Sequence, residues 1–239
     1  MSISRLRDIP GIGVDRVGDA ADAASDPEIL RLENLDTDLR PPAIAIETTR
    51  AAIEEDSANS YLPFQGHLSL REAAARHVGR IAGRTYDAHD NCVSVAGGLN
   101  GILNVLLATV EPGQEVVLCD PIYAGLVNRV RLAGGIPRFV RAHPSDYGWI
   151  VDPEEVVGAI GPNTAALLMM SPAMPSGALM TEKHWQALAL LSRTMMCGSS
   201  TTPPWSASVL TAGRPYIRPQ LTNCSLEPLQ SARHQKSCA

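Results

Sequence analysis

Residues 92–123 read CVSVAGGLNGILNVLLATVEPGQEVVLCDPIY, and this stretch decides the fold. Cys92 to Ala96 is a short β-rich run. Gly97-Gly98 end it, and an apolar helix follows to about Val110. Glu111-Pro-Gly-Gln114 is a turn that opens a second strand, Glu115 to Asp120. A strand, a helix and a second strand in so short a span form a βαβ unit, which requires a parallel sheet.

The same alternation extends outward in both directions. Upstream, Ser69 and Glu72 have capping-box spacing for a helix from Leu70 to Ala82 that stops at Gly83. Downstream, a helix from about Tyr123 to Ala133 ends at Gly134-Gly135, and Ile136 to Arg141 is a third strand. Asp152 caps a helix to about Ile160. Thr164 to Met170 is a fully apolar fourth strand, followed by the loop Ser171 to Gly177 and a helix from Thr181 to about Arg193. The expected class is α/β, a parallel-type sheet with helices on both faces.

Composition fits that class and excludes others. In 239 residues, 45% are apolar and 19% charged, so a core is available and global disorder is not expected. Aromatic residues make up only 4%, so the core must be aliphatic. The net charge of −5 argues against nucleic acid or an anionic membrane as a partner. No apolar run approaches the roughly 18 residues a membrane span needs. Residues 1–18 interleave Arg5, Arg7 and Arg16 with Asp8 and Asp15, unlike a signal or transit peptide. Five cysteines without a C-x-x-C pair point to reduced thiols, hence a soluble cytoplasmic protein, and no metal site is expected.

Ligands of open parallel sheets sit beyond the carboxyl ends of the strands, which selects three loops. Gly97-Gly98-Leu99-Asn100 suits an anion at a helix N-terminus, and equally suits a tight strand-to-helix turn. Ala96 to Gly101 also fits a degenerate A-x-G-x-x-G, with Asp120 placed as a ribose-binding acid. Asp120-Pro-Ile-Tyr123 offers a tyrosine that could stack on a planar cofactor or simply begin a helix. Ser171-Pro-Ala-Met-Pro-Ser-Gly177 is a stiff loop that cannot continue its strand.

Taken in order, these segments resemble the class I/II aminotransferases, the aspartate-aminotransferase-like (fold type I) pyridoxal-phosphate enzymes, from about Ile29 to Arg193. Tyr61-Leu-Pro-Phe-Gln-Gly66 with Leu70-Arg71 is similar to that family's Y-x-x-x-x-G-x-x-x-L-R. Gly98-Leu99-Asn100 follows, then Glu111 to Val116, similar to P-G-D-x-V, and Asp120 to Tyr123, similar to P-x-Y. Ser171 to Gly177 resembles N-P-x-N-P-T-G. The series displaces the dinucleotide reading.

The resemblance implies an N-terminal segment (1–60), part of the cofactor-binding large domain (61–193) and a non-homologous tail (194–239). It implies pyridoxal 5'-phosphate as cofactor, an amino acid and a 2-oxo acid as substrates, and a homodimer. Gly98, Leu99 and Asn100 would cradle the cofactor phosphate, and Tyr123 would stack on the pyridine ring. Tyr61 would reach the phosphate of the neighbouring subunit. Met174 stands where the family has an Asn to the phenolic oxygen, and a thioether is a weak acceptor. Leu35 stands where many members have a glycine at the substrate carboxylate.

Two groups that this chemistry requires are missing. A lysine must form the Schiff base, and an acid must hold the pyridine nitrogen protonated. The body holds one lysine, Lys183, in the first turn of a surface-type helix; the other, Lys236, lies in the tail. No catalytic residue is therefore assigned, and inactivity is expected of the chain as written.

The tail is of different character. Residues 1–193 carry a net charge of −8, whereas residues 194–239 carry +3, with one acid (Glu227), Cys197, Cys224, Cys238 and five prolines. No helical or alternating period is present there, so disorder is expected. Met195-Met196 fixes the bases ATG ATG. In the frame one base earlier, permitted codons for 194–209 can read DDVWLIYDAAMERLR, and those for 230–239 can read VGSASKELR. These resemble the family's pyridine-nitrogen acid and lysine segments. A frameshift at about Arg193-Thr194 is the reading, with a retained intron as the alternative. Without the later strands of the family's sheet, Cys92 to Ala96 loses its neighbours and apolar edges stay open, so a poorly stable, aggregation-prone product is expected.

Overall fold

Strand runs bounded by Pro-Gly and Gly-Gly turns fold where their patterning places them. The structure, a computed structural model, describes residues 6–7, 9–33, 38–146, 148–186 and 208–212. Its strands are β1 (Glu115–Asp120), β2 (Ile136–Arg141), β3 (His143–Ser145), β4 (Gly148–Ile150), β5 (Thr164–Met170) and β6 (Ser208–Ala212). Its α-helices are α1 (Gly13–Ala24), α2 (Ala43–Ile53), α3 (Leu68–Ala82), α4 (Gly98–Thr109), α5 (Ala124–Leu132) and α6 (Pro153–Gly158). The main sheet has the order β2-β1-β5-β6, with every pairing parallel. The fold is thus the α/β class expected from sequence.

The pleat sends alternate residues of β1 and β5 to two separate cores. Val116, Leu118, Ala166 and Leu168 meet Leu106 and Val110 at the end of α4, and Leu126 and Val130 of α5. Val117, Cys119, Leu167 and Met169 meet Val140, Val151 and Val156 of α6, with Met180 and Trp185 against them. Burial on both faces explains why β1 and β5 read as continuous apolar runs rather than alternating ones. Asp152 caps α6 as expected, its Oδ1 accepting the Glu154 N–H at 2.8 Å.

Four features depart from the sequence reading. The Ser69/Glu72 capping box does not form: α3 begins two residues earlier, with His67 at the cap and the Ser69 hydroxyl against His67 Nδ1 at 3.0 Å. Gly83 does end this helix, in the left-handed region at φ 64°. Cys92 to Ala96, expected as a strand, is not one, and no described strand lies beside it. The antiparallel hairpin of β3 and β4 is short and exposed, so no burial pattern announced it.

The fourth departure concerns the tail. Ser208–Ala212 runs parallel to β5, from Ala166 opposite Ser208 to Met170 opposite Ala212. These five residues therefore have a place in the sheet, against the expectation of a tail without regular structure, and they pair the β5 edge that was expected to lie open. A parallel ladder requires backbone pairing, which side-chain periodicity does not report. The remainder of the tail and Leu35 lie outside the described residues.

Candidate active site

The carboxyl ends of β1 and β5 and the start of α4 carry the three loops singled out by sequence. Gly97 caps α4 with φ +84°, a conformation L side chains rarely adopt, and no side chain occupies the cap. A Cβ built at Gly97 or Gly98 meets nothing within 4 Å, so the space before the helix end is open. The N–H groups of Gly98, Leu99 and Asn100 lie in the first turn, where a helix supplies no internal acceptor. Together with the helix dipole they suit a phosphate. Gly101 serves another purpose: its missing Cβ would lie 3.1 Å from Val95 Cγ2, so it admits the incoming segment against α4.

Tyr123 caps α5 and is half-buried, packed against the same core cluster as Leu99. Its ring covers Gly125, where a Cβ would come within 2.4 Å of Tyr123 Cε1. Gly125 therefore sets the ring's position, a role nothing in the sequence pattern signalled. The structure thus brings Leu99 and Tyr123 onto one cluster at one sheet edge.

The third loop is closed by its own hydrogen bonds. The Ala173 N–H donates to Ala178 O at 2.8 Å and the Gly177 N–H to Ala173 O at 2.7 Å. Ser171 Oγ, at the end of β5, accepts the Met180 N–H at 3.0 Å. Met174 is half-buried within this frame. Behind it, His184 is buried, with Nδ1 accepting from the Thr181 N–H at 2.9 Å and Nε2 directed at Val151 O. Those partners fix the tautomer, with the proton on Nε2.

Tyr61 is 90% exposed and lies outside the Leu99–Tyr123 cluster, and Phe64 on the same loop is 96% exposed. Lys183 is exposed, on the segment whose Trp185 packs against the α6 face. That face is opposite the one that α4 and Tyr123 cover. The buried thiol of Cys119 also faces the α6 side, 3.6 Å from Met169 Sδ, and burial pushes it up to about 11. Among the described residues no group of three His, Cys, Asp or Glu could hold a metal ion. No described helix is long and apolar enough to cross a membrane.

The parallel α/β layer thus carries a glycine-opened helix N-terminus and a flanking tyrosine at its carboxyl edge. The profile of "Aminotransferase class I and II" matches residues 31–196, and the chain belongs to that family. It is 28% identical over 192 residues to mouse kynurenine–oxoglutarate transaminase 3, covering 76% of this chain and 42% of that protein. To the aspartate/prephenate aminotransferase of Thermus thermophilus it is 33% identical over 165 residues, covering 69% and 42%.

Among solved structures, the N-succinyldiaminopimelate aminotransferase of Mycobacterium tuberculosis aligns with a TM-score of 0.76 at 26% identity, covering 88% of this chain and 51% of that one. The Rhizobium meliloti aspartate aminotransferase aligns with a TM-score of 0.76 at 22% identity, covering 92% and 55%, which shows the fold. The chain spans less than half the length of these curated relatives.

Proposed function

We propose that this chain carries the phosphate cradle and ring-stacking part of a pyridoxal-phosphate aminotransferase site. In the intact family that site moves an amino group between an amino acid and a 2-oxo acid by a ping-pong mechanism. The observation that carries the reading is the joint placement of the Gly97-capped end of α4 and Tyr123 on one edge of the sheet. Open space before Gly97 and Gly98 fits a phosphate group.

In this reading Gly98, Leu99 and Asn100 bind the phosphate through backbone N–H groups. Tyr123 would stack on the ring, and Tyr61 would serve the partner subunit of a homodimer. When bound, the cofactor supplies an electron sink for the substrate's Cα–H bond. Met174, standing where the family has an Asn to the cofactor's phenolic oxygen, would offer that oxygen no hydrogen-bond donor. The location is read as cytoplasmic.

The chain by itself is proposed to be inactive. Lys183 is exposed, on the segment whose Trp185 packs on the α6 side rather than with Tyr123, and in this reading it does not serve as the covalent anchor. A frame change near Arg193-Thr194 would account for the missing acid and lysine. A second reading, a non-catalytic chain that pairs with a full-length subunit, is favoured by the exposed Tyr61–Phe64 loop.

Borohydride reduction in the presence of pyridoxal phosphate, followed by peptide mass mapping, tests the site. No cofactor adduct at Lys183 is expected, and a stoichiometric adduct there would overturn the assignment. Sequencing gene and transcript across the codons for Ser192 to Met196 tests the frame. Restoration of one continuous family-like frame is expected, and an unbroken frame as written contradicts it.

A further inference from the structure

Arg71 is buried to 4% exposure, yet among the described residues no carboxylate pairs with it. Its guanidinium donates instead to two backbone carbonyls, Nε to Gly66 O at 3.2 Å and Nη1 to Ala88 O at 2.5 Å. A buried cation is costly to hold, and a planar fork directed at two carbonyls fixes both in space. One carbonyl lies just before α3 and the other just after it, so Arg71 staples the two ends of this helix's surroundings together.

Both ends lead to the cradle. On the first side, Gln65 O accepts the Ser94 N–H at 2.9 Å. Gly66, at φ +88°, crosses Ser94 so closely that a Cβ would lie 2.4 Å from Ser94 Cβ. On the second side, Ala88 belongs to the turn closed by the Asn91 N–H to Asp87 O bond at 2.9 Å, which feeds directly into Cys92 to Ala96. Val95 of that segment then lies against Gly101 of α4. Cys92 to Ala96 has no described strand beside it. Its path into Gly97 is thus set by the Gly66 crossing and the turn before it.

We propose, resting on the cofactor reading above, that Arg71 is a positioning residue for the phosphate cradle. It locks the Tyr61–Gly66 loop onto the segment that delivers Gly97 to Asn100, so that the exposed loop and the cradle of one chain move as a unit. The hydrogen bonds of Arg71 go to Gly66 and Ala88, not to Gly97 to Asn100. Its removal therefore loosens phosphate recognition through backbone geometry.

The test is hydrogen exchange of the full chain by mass spectrometry, with cofactor titration in parallel. In Arg71→Met, amides of 61–66 and 92–101 are expected to exchange about 10-fold faster, while those of β1 and β5 keep their rates. Arg71→Lys gives the same pattern, because a point charge cannot hold both carbonyls. Gly66→Ala breaks the Ser94 crossing while leaving Arg71 in place. It reproduces the 92–101 change and keeps the experiment decisive where an Arg71 variant does not fold.

Affinity for pyridoxal phosphate falls about 10-fold in each variant, while affinity for pyridoxal, which lacks the phosphate, is unchanged. Unchanged exchange at 92–101, or uniform acceleration through β1 and β5, overturns the proposal. If the wild-type chain binds both ligands equally, the cofactor reading fails, and the exchange pattern still decides the role of Arg71.

Discussion

The layer from Gly98 to Met170 and the segment from Gly13 to Gly66 lie in one chain but are held by different forces. In the first, β1 and β5 are buried on both faces, and α4 and α5 close one core while α6 closes the other. In the second, α1 and α2 bury no residue at all, and Ile44, Ile53, Tyr61 and Phe64 stand exposed. The contacts that hold it are polar: within it Arg31 bonds Asp22 at 2.6 Å and pairs with Glu33, just before it Pro10 O accepts from Asn128 of α5 at 3.3 Å, and at its end Gln65 O accepts the Ser94 N–H at 2.9 Å. The sheet layer thus holds its own core, whereas the N-terminal helices present apolar surface among the described residues.

The sharpest way to break that contrast is a pair of truncations. Leu168→Ala, at a fully buried position of β5, is expected to cost about 2–5 kcal/mol by denaturant unfolding. Ile44→Ala in α2, at an exposed position, is expected to cost less than about 0.5 kcal/mol. Similar losses at both sites would mean that the N-terminal helices have a core of their own.

Cys119 probes the same layer by pH. Burial raises its thiol from the ordinary 9.0 to about 11, so the folded chain keeps its proton where the unfolded chain releases it. The associated stability is full below pH 9 and declines as pH rises toward 11, by on the order of 2 kcal/mol. Unfolding measured from pH 8 to 11 is expected to show this decline, and Cys119→Ala is expected to flatten it. In the native chain at pH 8, Cys92, which is only half-buried, alkylates faster than buried Cys119.

Asp152→Ala removes the cap of α6 and is expected to cost about 1 kcal/mol. The smallest stability effect is expected at Gly125→Ala, because a ring edge can move aside from the new methyl. The functional effect there is larger: displacement of Tyr123 is expected to weaken ring binding. A Gly125→Ala chain with unchanged tyrosine fluorescence and cofactor affinity would remove Tyr123 from the site.

The same contrast sets how much was legible in the sequence. β1 and β5 fall where their apolar runs placed them, because burial on both faces leaves little choice of residue, whereas the largely exposed β2 falls where the Gly134-Gly135 break placed it. The Gly97 turn and Tyr123 were legible as loop residues at strand ends. The roles of Gly125 and Gly66 were not, since a close approach between residues depends on tertiary geometry that spacing does not encode. Ser69 misled because His67 starts the helix two residues early, so a good local capping signal lost to the position of the chain entering α3. β6 has no patterning of its own, because its place follows from a neighbour that is already ordered.

As proposed, the Gly97-capped end of α4 receives the phosphate of a pyridine cofactor. Calorimetric titration of the intact chain with pyridoxal phosphate, and separately with pyridoxal, tests it most directly. Saturable binding of the phosphorylated form is expected, at least about 10-fold tighter than of the unphosphorylated one, with inorganic phosphate competing. Equal affinity for the two, or no effect of inorganic phosphate, would contradict it.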